Sequence, residues 1–274
     1  MKQDAVKRIA TYLGLTFALS AVFYILIICA GTIGTGGGLY VLGLMWCPGL
    51  AAMATALLYD RSLRGLGWRL GSPRYLVLAY TLPLAYAAVA YGAVWALGLG
   101  AFGTAALPAG QSLPTFLAFN ATVGIVSSLL SATGEEIGWR GFLVPELARV
   151  TGFAGTALLS GAIWAAWHMP LILFADYHSR APLWFALACF AVMIVGVSFA
   201  FAWLRLRSGS LWPAALLHAS HNLFIQQVFD PLTQDTGTTA YLVGEFGLML
   251  ALAGIVVALF FWRLQPREVR LARA

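Results

Sequence analysis

Apolar residues run through this chain in long unbroken blocks, each ended by a short polar or glycine-rich segment. The blocks lie near 10–32, 38–59, 75–97, 115–136, 153–174, 183–204, 211–229 and 239–262. Each approaches the roughly 20 residues that a helix needs to cross a bilayer. Transmembrane strands would be shorter and would alternate, so the blocks predict helices and not a barrel. The pattern therefore predicts an all-α polytopic membrane protein with eight transmembrane helices.

Composition supports this reading. Hydrophobic residues make up 61% of the chain, charged ones 9%, and mean hydropathy is +0.85, against about 25% charged residues in a soluble domain. The net charge of +6 is a matter of topology. Lys2, Lys7, Arg8, Arg61, Arg64, Arg69, Arg74, Arg149, Arg205, Arg207, Arg263, Arg267, Arg270 and Arg273 fall on one side of the predicted spans. The other side holds Arg180 with Asp176, Asp230 and Asp235. By the positive-inside rule both termini are cytoplasmic. No nucleic-acid partner is implied, because no phosphate-binding loop or basic aromatic-laced segment occurs. The excess of arginine over lysine suggests a bacterial inner or plasma membrane, crossed several times. The first block is too long for a signal peptide, so it reads as a retained helix. Cys29, Cys47 and Cys189 are scattered through the spans and read as small buried hydrophobes. The arginines of the 59–74 loop are placed to meet anionic lipid headgroups.

Ionisable residues inside the predicted spans change the picture from architecture to chemistry. A charge at the bilayer centre costs at least about 2.5–3.5 kcal/mol, so such residues are functional candidates. They fall in "EEIGWR" (Glu135–Arg140) at the end of the fourth span, "WAAWH" (Trp164–His168) in the fifth and "HASHN" (His218–Asn222) in the seventh. Glu136 and Arg140 are i,i+4 neighbours in the favourable order for an ion pair. Glu135 lies about 100° away around the helix, turned toward His168. If spans four and five form a hairpin turning near residues 149–153, Glu135 and His168 come level at roughly 24 Å from the turn. His218 stands about 14 Å from the turn into span seven. An offset of about 10 Å for the hairpin brings Glu135, His168, His218 and Asn222 into one polar cavity in the inner half of the membrane, facing the cytoplasm.

Such a set supports two routes to hydrolysis of a carbonyl compound. A carboxylate beside a neutral imidazole can deprotonate a water, while a second histidine and an amide steady the oxyanion. Alternatively, Glu135, His168 and His218 hold a Zn²⁺ that keeps one position open for water. There is no HExxH or GxSxG motif and no pair of intramembrane aspartates.

These segments resemble the motifs of the CAAX protease and bacteriocin-processing (Abi) family of intramembrane endopeptidases, in a prokaryotic form. "EEIGWR" matches its Glu-Glu-x-x-x-Arg motif and "HASHN" its His-x-x-x-Asn motif, while "WAAWH" departs from Phe-x-x-x-His by Trp164. The resemblance spans roughly 114–228, leaving 1–113 as three N-terminal helices and 229–274 as the last helix with a basic tail. It implies that Glu135 is the general base working with His168 on water, and that His218 and Asn222 stabilise the oxyanion, or that His218 helps bind a metal. Glu136 and Arg140 would orient the first motif or engage the substrate, which would be a membrane-tethered peptide or protein tail. Whether zinc is used stays open.

Blander readings stand beside these. Glu136 and Arg140 suit an ion pair near the headgroups, and His168 suits a bond to a carbonyl freed by Pro170. His218 and Asn222 suit polar glue between helices. His221 and Glu245 have no assigned role, Glu245 reading as buried and protonated or as an interface residue. The rival functions are an ion- or proton-coupled transporter, which predicts repeated halves that the sequence lacks, and a non-catalytic immunity or scaffold protein of the same fold.

Overall fold

The computed structural model describes residues 2–265, so Arg267, Arg270 and Arg273 lie outside the described residues. The chain is a bundle of helices, as the apolar blocks require. We number them α1 (Lys2–Ala30), α2 (Leu39–Asp60), α3 (Pro73–Ala96), α4 (Leu113–Ala148), α5 (Phe153–Phe174) and α6 (Leu183–Ser208). These six are long and apolar enough to cross a membrane. The predicted seventh span is helical as α7, Trp212–Asn222 continued by π-helical Leu223–Phe229. The predicted eighth is broken: a turn of helix at Thr239–Leu242 precedes α8 (Leu248–Arg263). The break falls at Gly244, whose φ of +77° disfavours any other residue. The chain is a multi-pass membrane protein.

The fourth element differs most from expectation. The sequence ends a span at 136, but α4 continues for 36 residues in all, straight through "EEIGWR". Wide π turns at Asn120–Gly124 and Ile137–Leu143 interrupt it. Gly138 and Gly141 within it serve close packing. A Cβ on Gly138 would sit 2.5 Å from Pro48 of α2, and one on Gly49 would sit 2.5 Å from the Gly134 carbonyl. Small residues allow this approach of backbones inside a membrane, and it presses the charged turn of α4 against α2. Gly138→Leu should therefore lower stability by about 1–3 kcal/mol through overpacking, read as an earlier loss of monodisperse protein on heating in detergent. A melting profile unchanged from wild type would refute the close approach.

Helix α7 packs on α3, α4 and α6, so its polar face meets both α4 and α5 across a short gap. The loops at one end are tied down. The Ile33 amide and Thr32 hydroxyl donate to Asp176 at 2.7 and 2.8 Å and hold its carboxyl below the usual carboxylate range. A two-residue antiparallel ladder, Ala101–Phe102 with Thr233–Gln234, joins the segments following α3 and α7.

Candidate active site

Three helices deliver the polar residues, and each is held by a partner that its helix geometry makes available. On α4, Glu136 accepts a hydrogen bond from Arg140 Nη1 at 2.6 Å, the expected i,i+4 pair, with both side chains fully buried. Both lie inside the protein, out of contact with its surroundings. The guanidinium lies between the rings of Trp164, 4.1 Å from its centroid, and Phe201, 3.8 Å away, a desolvated cation–π contact on both faces. Arg140 Nε and Nη2 have no hydrogen-bond partner among the described residues.

His218 on α7 closes this cluster. Its Nδ1 donates to the same Glu136 oxygen at 2.9 Å. The pair Glu136–Arg140 is thus a triad across 82 residues of sequence, which helical spacing alone does not reveal. It is the arrangement in which a carboxylate fixes the tautomer and orientation of an imidazole.

Glu135 points elsewhere. Its Oε2 accepts from the indole of Trp164 at 2.8 Å and from that of Trp139 at 3.2 Å. No hydrogen bond joins it to His168 among the described residues, and the two side chains line one cavity. Trp164, in the sequence only a departure from the family's phenylalanine, is the nearer of the two donors that steady the carboxylate. Glu135 Oε1 takes part in no hydrogen bond among the described residues.

His168 donates through Nδ1 to the Trp164 carbonyl at 2.9 Å. That carbonyl is four residues back, not the Ala166 carbonyl that Pro170 leaves without its helical donor. With Nδ1 protonated, Nε2 of the neutral ring is an acceptor. The ring is packed edge-on between Trp167 and Phe190, 4.9 and 5.2 Å away by centroid.

Glu135, His168, His218 and Asn222 line one cavity of about 170 Å³, room for a few waters or a short stretch of peptide. His221 and Glu245 also line it. His221 Nε2 lies 3.2 Å from Glu245 Oε1, and its Nδ1 lies 2.5 Å from the Tyr86 hydroxyl. Tyr177 donates to the other Glu245 oxygen at 2.7 Å. The two residues without a sequence motif thus form a second polar wall. Only tertiary structure pairs them, since they sit 24 residues apart on different elements.

The zinc alternative asks Glu135, His168 and His218 to converge. Among the described residues no three His, Cys, Asp or Glu side chains are placed to share an ion, and Glu135 Oε2 already holds two indoles.

Arg205, expected as a cytoplasmic surface charge, is buried near the end of α6. Its Nε donates to the Arg140 carbonyl at 2.8 Å, and Nη2 reaches the Gly65 carbonyl at 3.4 Å. It thus satisfies a backbone group in the wide turn of α4 and ties the 61–72 loop to that turn. Leu66 of this loop is buried, Leu211 donates from its amide to the Gly67 carbonyl, and the Trp212 indole donates to the Trp68 carbonyl. The cavity lining runs from Phe201 and His218 to Ile33 and Tyr177, in the loops at the opposite end.

The sequence profile of the type II CAAX prenyl endopeptidase Rce1-like family matches residues 116–224. The chain is also 28% identical over 134 residues to the CAAX prenyl protease 2 of Methanococcus maripaludis, an alignment covering 47% of this chain and 46% of that protein. The chain thus spans about half the length of the curated relative it matches.

Proposed function

We propose, for a chain whose residues 116–224 match the Rce1-like CAAX endopeptidase family, that it is an intramembrane endopeptidase of that family acting on membrane-associated peptides or protein tails. The observation that carries this reading is the convergence of Glu135, His168, His218 and Asn222 on one cavity. Glu135 takes the proton from a water held between its Oε1 and the acceptor Nε2 of His168. The two indoles on Oε2 keep the carboxylate aimed and screened. As the water attacks the scissile carbonyl, negative charge gathers on the carbonyl oxygen. The Asn222 amide and His218 Nε2 stabilise it. A donor at Nε2 requires protons on both ring nitrogens of His218, with Glu136 as the counter-charge. Glu135 then passes its proton to the leaving amine, so atoms and charge balance over the cycle. The eight-span arrangement with cytoplasmic termini belongs to the same proposal, supported by the asymmetry of the basic residues.

The test is cleavage of a lipid-anchored peptide by purified protein, with products identified by mass. His168→Ala should lower turnover by about 10²-fold or more while the protein stays folded. An unchanged rate would remove His168 from the mechanism. Chelator treatment during the same assay separates the routes: turnover that persists favours water held by side chains, and turnover lost and restored by Zn²⁺ favours the metal.

A further inference from the structure

We infer that Gln226 binds the backbone of the substrate, as the last rung of a polar ladder on α7 that holds an extended peptide in the catalytic cavity. This rests on the reading of the cavity as a peptidase site, and it adds a residue that neither the motifs nor the proposed chemistry uses.

His218, Asn222 and Gln226 follow one another every fourth residue along α7, and all three line the cavity. A regular α-helix would carry Gln226 about 80° round from His218. Leu223–Phe229 is π-helical instead, the wide kind of turn that recurs at functional sites, and the Gln226 amide stays on the cavity face. Successive rungs stand about 6 Å apart along the axis, at about 1.5 Å per residue. Backbone groups facing one way along an extended strand repeat every two residues, about 6.6 Å. A peptide whose attacked carbonyl lies at His218 and Asn222 therefore brings a backbone N–H, two residues along, to the level of Gln226. The α6 residues of the lining, Met193, Ile194, Val197 and Phe201, are apolar, so α6 leaves the peptide backbone to the polar face of α7.

Glu245 sets which end of the Gln226 amide is offered. Its carboxylate stands within reach of the Gln226 side chain and accepts from Tyr177 at 2.7 Å. His221, 3.2 Å from the other oxygen and itself held by Tyr86, fixes the carboxylate in place. A carboxylate only accepts, so it takes the NH2 of Gln226 and leaves Oε1 as the free acceptor. Gln226 is exposed, and Oε1 is open to a peptide N–H. The pair His221 and Glu245, which no motif assigns, thereby acts through Gln226 as positioning residues.

The test uses the full chain and the lipid-anchored peptide of the cleavage assay, remade with single backbone amides replaced by esters on either side of the scissile bond. An ester keeps the carbonyl and removes the N–H. In the wild type, the ester two residues from the attacked carbonyl should lower kcat/KM by about 2–10-fold, the worth of one neutral hydrogen bond, with the loss in KM. Gln226→Met keeps the length of the side chain and removes the acceptor. It should lower kcat/KM on the all-amide peptide by the same factor and lose nothing further on that ester peptide. A side chain serving only the fold would instead lower turnover equally on every peptide. Losses that multiply, or a wild type indifferent to every ester, overturn the inference and leave the peptidase reading intact. If the wild type cuts none of the peptides, the peptidase reading falls and takes the inference with it.

Discussion

Glu135→Gln should lower kcat/KM for a membrane-tethered peptide by about 10²–10⁴-fold, the range that a positioned general base supplies. The substitution keeps the shape of the side chain and an oxygen for the indoles of Trp164 and Trp139, now 2.8 and 3.2 Å from Oε2. What it removes is the capacity to take a proton. The loss should therefore fall on kcat, with KM and thermal stability in detergent close to wild type. This separates a chemical role from a structural one, because a side chain retained only to satisfy two buried indoles would be replaced by glutamine with little effect. Turnover equal to wild type would exclude Glu135 as the base. A second variant, Trp164→Phe, removes one of the two donors and leaves the aromatic wall. It should lower kcat less than the glutamine variant, since the carboxylate keeps its base function but loses part of its aim.

Much of the site is legible in sequence because helix geometry is fixed locally. An acid four residues before an arginine must share its face, and the structure has Glu136 and Arg140 paired at 2.6 Å. The apolar blocks likewise dictate membrane-length helices, since a helix satisfies its own backbone polar groups in hydrocarbon and the blocks are too long and too uniform for the strands of a barrel. What the sequence conceals is tertiary. The bond from His218 to Glu136 crosses 82 residues, and nothing in either motif announces which glutamate the histidine takes. Trp164 hides its role because an indole in an apolar run reads as packing, whereas here its N–H is the main donor to Glu135. The helix runs on past the predicted end at 136, and its Gly138 and Gly141 answer to α2 and Leu66, not to their own helix. Arg205 misleads for a similar reason. A cation at the end of a span ordinarily meets headgroups, but a backbone carbonyl in the wide turn of α4 gives it a buried partner. His221 and Glu245 carry no local signal, since each finds its partner on a different element.

Glu136→Ala should be the most destabilising single change in the site. It leaves Arg140 fully buried, its guanidinium between Trp164 and Phe201, with its one hydrogen-bonded carboxylate gone. Removing one partner of a buried ion pair costs about 3–5 kcal/mol, enough to show as a large loss of folded, membrane-inserted protein. The same variant also strips His218 Nδ1 of its acceptor, so failure to fold and failure of chemistry would be confounded. The double variant Glu136→Gln with Arg140→Met resolves them. It removes both charges, keeps an oxygen within reach of His218, and fills the space between the two aromatic rings with an apolar side chain. Replacing a buried pair by apolar groups of similar volume is often neutral or stabilising, so this protein should fold. If the triad only holds α4 and α7 together, the refolded double variant should cleave peptide at the wild-type rate. If Glu136 supplies the counter-charge that His218 needs to donate from Nε2, turnover should remain about 10²–10³-fold down, the cost of losing one oxyanion donor. The geometry favours the second outcome, because Arg140 and His218 compete for one oxygen of Glu136. An arrangement serving stability alone would have used both, yet Oε2 has no hydrogen-bond partner among the described residues.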